Sequence, residues 1–347
     1  MSARIAIIGD NFMRADVFEF ALRDAVTAPF TCGKLDLPFP DEPIVQRGES
    51  CGLAGLREFQ GTPEQVVATA AGARILVTHV APVSRGILRD LPDLEMIAVA
   101  RGGPVNVDAA AVRECGIRLV NTPGRNASAV AEFTIGAIIA QTRNISRGHA
   151  ALMRGTWRGE LYRADVQRRE LSAMTVGIVG YSAIGTRVAA LLRAFGSRIL
   201  VTDPYTSLTP EDARYGARMV ALDELLAHSD VVTLHARLTD ETRGMIDAGA
   251  LDRMKPGAVL VNTARGPMVD ERALHDALAR GHLSGAVLDT FDIEPLPAVS
   301  PLLELDSVTV TPHIAGASTT TVRVAADMVA REVRRHLASE PAINAVG

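Results

Sequence analysis

At 347 residues the chain is long enough for about two domains with sizeable cores. Its 48% hydrophobic and 22% charged content is that of a globular protein, and a net charge of −4 with scattered arginines argues against nucleic-acid binding as its main business. No apolar run approaches a membrane span, and the N-terminus MSARIAIIGD enters a strand pattern too early for a signal peptide. The three cysteines, Cys32, Cys51 and Cys115, lack paired or zinc-type spacing, so they read as structural thiols in a reducing cytoplasm, with no metal site.

In chain order, Arg4–Gly9 reads as a parallel strand and Ala15–Ala25 as a helix with Val17, Phe18, Ala21 and Leu22 on one face. Prolines and glycines break residues 29–63, leaving one expected strand near Lys34–Leu37 and an irregular segment after it. A helix at Glu64–Ala71, strands at Arg74–Thr78 and Met96–Ala100, a helix at Asn106–Glu114 and a strand at Ile117–Val120 follow. Such alternation implies a parallel sheet. Asn121-Thr122-Pro123-Gly124 reads as a domain crossing. Beyond it, Ser128 is placed to cap a long helix running to Arg147, apolar on more than one side and therefore buried in a core or at a subunit interface. Met153–Leu171, with Trp157, Tyr162 and many arginines, reads as an arm in which the aromatics pack.

The segment Thr175–Asp203 has a distinctive order. An apolar strand, Thr175–Val179, leads into the turn Gly180–Gly185. A helical pattern (Ile184, Val188, Leu191, Leu192, Phe195) ends at Gly196, and a second strand, Ile199–Val201, runs to Asp203. The turn sets the backbone of Gly180, Ser182, Ala183, Ile184 and Gly185, at a helix N-terminus, against a pyrophosphate. Asp203, roughly 20 residues on, accepts hydrogen bonds from a ribose diol and repels a 2′-phosphate, which favours NAD over NADP. Ser182 stands where G-x-G-x-x-G has its middle glycine, so its Cβ takes room from the ligand.

The alternation then resumes with a helix at Leu222–Ala227, strands at Val231–His235, Ala258–Asn262, Gly285–Leu288 and Val308–Val310, a helix at Asp270–Arg280 and a closing helix at Thr319–Leu337. Ligands of α/β folds gather at the C-terminal ends of parallel strands, so His235, Arg265, Asp289 and His313 are expected to face one crevice. An arginine can hold a carboxylate through two parallel hydrogen bonds, and a histidine can pass a proton to or from a hydroxyl. A carboxylate on the far imidazole nitrogen fixes the tautomer, and Glu294 is a candidate for that place.

The segments VNTARGPMVD, GAVLDTFDIEP and TPHIAGAS, with LHARLTDETRGMI, RGGPVNVD and NTPGRNASAVAEFT, closely resemble the D-isomer-specific 2-hydroxyacid dehydrogenases. The resemblance covers about Thr78 to Ser318. It implies an α/β protein of two lobes with a cleft between them: a discontinuous flavodoxin-like substrate domain (1–122 and 315–347) and an inserted, doubly wound Rossmann NAD-binding domain (123–314). It implies that Arg265 binds the substrate carboxylate and 2-oxygen, that His313 is the general acid/base, and that Glu294 orients it. It further implies that Asp289 meets the nicotinamide carboxamide, with Ala264, His235 and Gly316 also on the cofactor side. Gly102 and Gly103 would offer amides to the substrate carboxylate, with His79 and Arg101 as further substrate contacts. The Ser128–Arg147 helix and the arm after it would form a homodimer. The partner molecule would be a small 2-hydroxy or 2-keto acid, phosphorylated or not, as no cluster of Lys and Arg marks a phosphate pocket. Arg237 stands where the family usually has proline, and a cation there favours an extra phosphate on the cofactor. The alternative reading is an NAD(H)-sensing co-regulator of the same fold with little turnover, which Ser182 alone favours.

Overall fold

The computed structural model describes residues 2–39, 41, 44–49, 52–163, 165–166 and 170–346, the side chain of Gln46 excepted. Cys51, Pro40, Pro43 and positions 164 and 167–169 of the expected arm lie outside them. Two compact units form, Met1–Asn126 with Ser318–Gly347, and Ala127–Ala317. The resemblance implies junctions at 122/123 and 314/315; the units divide at 126/127 and 317/318.

In the first unit the strands are β1 (Ala3–Asp10), β2 (Phe30–Leu37), β3 (Val45–Arg47), β4 (Arg57–Phe59), β5 (Ile75–Thr78), β6 (Met96–Val99) and β7 (Arg118–Val120). Five of them make a parallel sheet in the order β2-β1-β5-β6-β7. With the antiparallel β3–β4 pair set aside, this is the flavodoxin-like order. Successive strand side chains point to opposite faces, so Ile5 and Ile7 enter one core and Ala6 and Ile8 the other. The first core is closed by the helix Ala15–Ala25 and by Ala325, Ala326, Val329 and Val333 of the last helix, Thr319–Leu337. The chain therefore returns to this sheet at its end. Buried Glu332 receives the backbone N–H groups of Ile343 and Asn344 and fixes the tail beside β7.

The second unit holds β8 (Thr175–Val179), β9 (Arg198–Thr202), β10 (Arg218–Met219), β11 (Val231–Leu234), β12 (Val259–Asn262), β13 (Gly285–Leu288) and β14 (Val308–Val310). They form one parallel sheet, β10-β9-β8-β11-β12-β13-β14, whose order reverses direction at β8 as in doubly wound folds. Both faces are covered, so the central strands are continuous apolar runs rather than alternating ones.

Most sequence expectations hold to within a residue or two, and the departures have local causes. The segment 29–63 is more regular than its prolines suggest: β2 starts at Phe30, and β3 and β4 pair across it. The long helix starts at Ala127 and ends at Thr142, not at Arg147. Asn144 adopts φ +55°, a left-handed conformation asparagine tolerates, and a second helix runs Ile145–Met153. Ser128 lies inside the first turn, its hydroxyl 3.5 Å from Glu132 Oε1, and so is not the cap. Short helices at Arg85–Arg89, Pro210–Tyr215 and Ala248–Arg253 were not legible because none spans enough turns to show a period. Trp157 (82% exposed) and Tyr162 (94%) do not pack among the described residues, contrary to expectation.

Gly177 marks where β8 meets the helix Leu222–His228. A Cβ there would lie 2.4 Å from both Leu225 Cδ2 and Ser229 Oγ. Gly177→Ala is expected to destabilise the protein by about 1–3 kcal/mol, the usual cost of overpacking. A lowered Tm in a thermal melt checks it; an unchanged one shows that the helix simply shifts away.

Candidate active site

The turn after β8 has the form of a phosphate cradle. Gly180 sits at φ +91°, and a Cβ on it would lie 2.4 Å from the Ala236 nitrogen, so only glycine fits. A helix, Gly185–Ala194, starts directly from the turn. Thr186 and Val188 donate back to the carbonyls of Ser182 and Ile184. The amides of Ala183, Ile184 and Gly185 precede these first helical bonds and are left for a ligand. Ser182 and Ala183 are exposed, so the serine that replaces glycine does not crowd the protein itself. Asp203, one residue past β9, is half-buried. Its Oδ2 accepts the Tyr181 N–H (2.7 Å) and its Oδ1 the Tyr205 N–H (2.9 Å). These bonds tie the acid to the glycine turn.

The other side of the sheet carries His235, Arg265, Asp289 and His313, each within three residues of the end of β11, β12, β13 or β14. His235 is buried, with Nε2 3.0 Å from Thr233 Oγ1 and Nδ1 without a partner. Burial pushes its pKa down to about 3, so the ring is neutral. Thr290 Oγ1 is likewise buried and unpartnered. Two orphaned polar atoms at the ends of adjacent parts of one sheet, together with the Gly180 cradle, fit a bound dinucleotide.

Arg265 is exposed, and its Nη1 donates to the Ala264 carbonyl (2.8 Å). Asn262 braces this loop from both sides: Oδ1 accepts the Ala264 N–H and Nδ2 donates to the Arg265 carbonyl. The next residue, Gly266, presses against the β13 loop. A Cβ on it would lie 1.9 Å from the Phe291 carbonyl carbon. That contact fixes the Arg265 backbone beside the segment leading to Glu294. Glu294 Oε1 accepts the Phe291 N–H (3.0 Å), and Oε2 meets His313 Nδ1 at 2.9 Å. His313 itself has φ +54°, a left-handed conformation that is costly for a side-chain-bearing residue and is held only by its surroundings. The holder is Asp289. Its buried carboxylate accepts from Thr311 Oγ1 (2.6 Å) and from the Ile314 and Ala315 N–H groups (2.9 Å each). Gly316 lies half-buried in the same turn. Arg237 is exposed; its carbonyl accepts the Thr242 hydroxyl.

The remaining expected residues belong to the first unit. Gly102 and Gly103 are exposed just past β6, with the Gly102 carbonyl held by Asn121 Nδ2. Arg101 is engaged with Glu58 through its carbonyl and carboxylate. His79 follows β5, is buried, and bonds through Nδ1 to Asp10 Oδ2 at 2.6 Å. Burial outweighs that bond and pushes His79 down to about 4, so the pair is a neutral imidazole donating to a carboxylate. Sequence reasoning missed Asp10 and Arg125, which flank His79 on its two ring nitrogens. No spacing rule links residues 10, 79 and 125; only the strand order does.

With this geometry in place, comparison with known proteins is decisive. Residues 135–315 match the family model "D-isomer specific 2-hydroxyacid dehydrogenase, NAD binding domain". The chain belongs to the D-isomer specific 2-hydroxyacid dehydrogenase family. The matched region lies within the second unit, which is thus the NAD-binding domain. The chain is 40% identical over 267 residues to a D-3-phosphoglycerate dehydrogenase of Mycobacterium tuberculosis, covering 77% of this chain and 49% of that one. It therefore spans about half the length of that relative. It is 36% identical over 288 residues to a glycerate dehydrogenase of Methylorubrum extorquens, covering 82% and 89%. The crystal structure of a glyoxylate reductase from Paecilomyes thermophila matches with a TM-score of 0.76 at 26% identity, covering 100% and 99%. No helix among the described residues is long and apolar enough to cross a membrane, and they contain no cluster of His, Cys, Asp and Glu that could hold a metal ion.

The neutral, buried His235 has a consequence for acid stability. Its pKa is about 3 folded against 6.5 for a free histidine. Between those values the unfolded chain binds the extra proton, so this group's contribution is full above about pH 6.5 and is lost as pH falls toward 3. The Tm advantage of the native protein over His235→Gln is expected to narrow steadily on acidification from about pH 7 to 4.5. A constant gap across that range would show that His235 does not stay neutral.

Proposed function

We propose that the chain is an NAD-dependent dehydrogenase that interconverts a small D-2-hydroxy acid and its 2-keto acid. One observation carries this reading: His313 Nδ1 is bonded to Glu294 Oε2 at 2.9 Å, in a loop that Asp289 holds in a costly backbone conformation. The bond to Glu294 keeps the proton on Nδ1, so Nε2 is the nitrogen that exchanges a proton with the substrate 2-oxygen. His313 donates it during reduction and accepts it during oxidation. Arg265 holds the substrate carboxylate with its guanidinium fork and stabilises negative charge as it develops on the 2-oxygen. When bound, NAD supplies the hydride chemistry at C2. The amides of 183–185 hold its pyrophosphate, Asp203 accepts its ribose hydroxyls, and His235, Ala264, Asp289 and Gly316 line its nicotinamide side. Asp203 disfavours a 2′-phosphate, so NAD is preferred to NADP.

The relatives' names span phosphoglycerate, glycerate and glyoxylate, all small acids with an oxygen at C2. The sensing alternative rests on Ser182, and that residue is exposed in the turn without obstructing it. The protein is further read as a cytoplasmic homodimer. Ile145, Leu152, Met153, Trp157 and Tyr162 are 55–94% exposed along the segment that follows the helix Ala127–Thr142, an apolar stretch that a second copy would cover.

The deciding assay is NADH oxidation with a panel of 2-keto acids, NADPH in parallel. His313→Ala is expected to lower kcat by about 10²–10⁴, the scale of general acid–base catalysis. An unchanged kcat removes His313 from its role, and turnover favouring NADPH overturns the reading of Asp203. Light scattering is expected to give twice the mass of the 36.8 kDa chain, and a shift toward monomer in Trp157→Ser/Met153→Ser. A monomeric native protein would refute the dimer.

A further inference from the structure

The first unit holds a guanidinium whose surroundings are incomplete. Asp10 ends β1, His79 follows β5, Arg101 lies two residues past β6, and Thr122 and Arg125 follow β7. Because β1, β5, β6 and β7 are neighbours in a parallel sheet, all five residues emerge at one edge. Arg125 is positioned with care. Buried Asp10 accepts from His79 Nδ1 at 2.6 Å and from the Phe12 and Met13 N–H groups. The neutral His79 thus presents Nε2 as an acceptor to Arg125 Nη2, 3.4 Å away. Phe12 and Phe39 stand against the imidazole at ring distances of 5.9 and 6.1 Å and keep water from it. Asn106 Nδ2 ties down the carbonyls of His79 and Ala81.

Yet Nε and Nη1 of Arg125 are buried without a hydrogen-bond partner, and so is Thr122 Oγ1, in the turn that the Arg125 N–H closes onto the Thr122 carbonyl. Among the described residues no carboxylate forms an ion pair with Arg125; Asp10 attracts it through space but bonds to His79, not to the guanidinium. Arg101, the second guanidinium here, is already engaged with Glu58. A guanidinium with two buried, unpartnered nitrogens, one N–H on Nε and two on Nη1, costs stability unless something completes it. What completes a planar N–H fork is a planar or tetrahedral oxoanion.

We propose that Arg125, with the unpartnered Thr122 hydroxyl three residues before it, is a binding site for an oxoanion, a carboxylate or a phosphate. Asp10 and His79 are positioning residues that aim it. The site is argued from the first unit alone and does not rest on the dehydrogenase reading.

The site is tested on the full chain by calorimetric titration with inorganic phosphate and with malonate at neutral pH, without cofactor. At least one is expected to bind and to raise Tm by mass action. Arg125→Met should weaken that binding by about tenfold or more, and Arg125→Lys, which keeps the charge but loses the fork, by less. The free Arg125→Met protein should melt no lower than the native one, because it sheds an uncompensated buried charge; a structural arginine would behave oppositely. His79→Ala should weaken anion binding while leaving Arg125 in place. The two anions separate the sources, since a preference for phosphate or for malonate names the group. Absence of anion binding, or equal binding by Arg125→Met, overturns the site even if turnover is intact. Anion binding without any turnover instead refutes the dehydrogenase reading and leaves the site standing.

Discussion

The buried carboxylate of Asp289 is the constraint on which the second unit's chemistry depends. It sits one residue past β13 and accepts three hydrogen bonds from the loop that follows β14. A carboxylate with no access to water must find such donors, and here they are supplied by the segment that carries His313. The loop is thereby held with His313 at φ +54°, where its ring reaches Glu294. Gly266 does the matching work on the other side, lying against Phe291 directly after Arg265 at a distance no side chain would permit. Three loops from three adjacent strands are locked by one acid and one missing Cβ.

The same principle operates in the first unit with a different result. There too a buried acid at a strand end, Asp10, orients a histidine, and the histidine is neutral because burial outweighs the pairing. On the proposed readings, the imidazole that is 40% exposed exchanges a proton, and the sealed one only aims a neighbour. Residue type alone does not separate these roles. Solvent access does.

The sequence was most informative where function demands a contiguous pattern. The strand–turn–helix–strand from Thr175 to Asp203 was legible because the phosphate turn needs Gly180 at a positive φ and an acid one strand away, and both requirements are local. Strand positions were legible because parallel strands buried on both faces are unbroken apolar runs. Short helices were not, and neither was the β3–β4 pair, whose partners, Val45 with Phe59 and Arg47 with Arg57, lie across a loop and show little periodicity of their own. The helix break at Asn144 was missed because Gln141-Thr142-Arg143-Asn144 contains no glycine or proline to mark a stop.

By itself, then, the sequence determined the family, the two parallel-sheet domains and the candidate triad of Arg265, Glu294 and His313, since each lies in a motif that reads along the chain. Only the tertiary structure decided that Asp289 braces the His313 loop, that Gly266 must be bare, and that Asp10, His79 and Arg125 form one chain of contacts. Those relations join residues that are neighbours only because β1, β5, β6 and β7, and likewise β12, β13 and β14, lie side by side. Hydrogen bonds and steric exclusion act through space, and strand order is what brings distant positions within their reach.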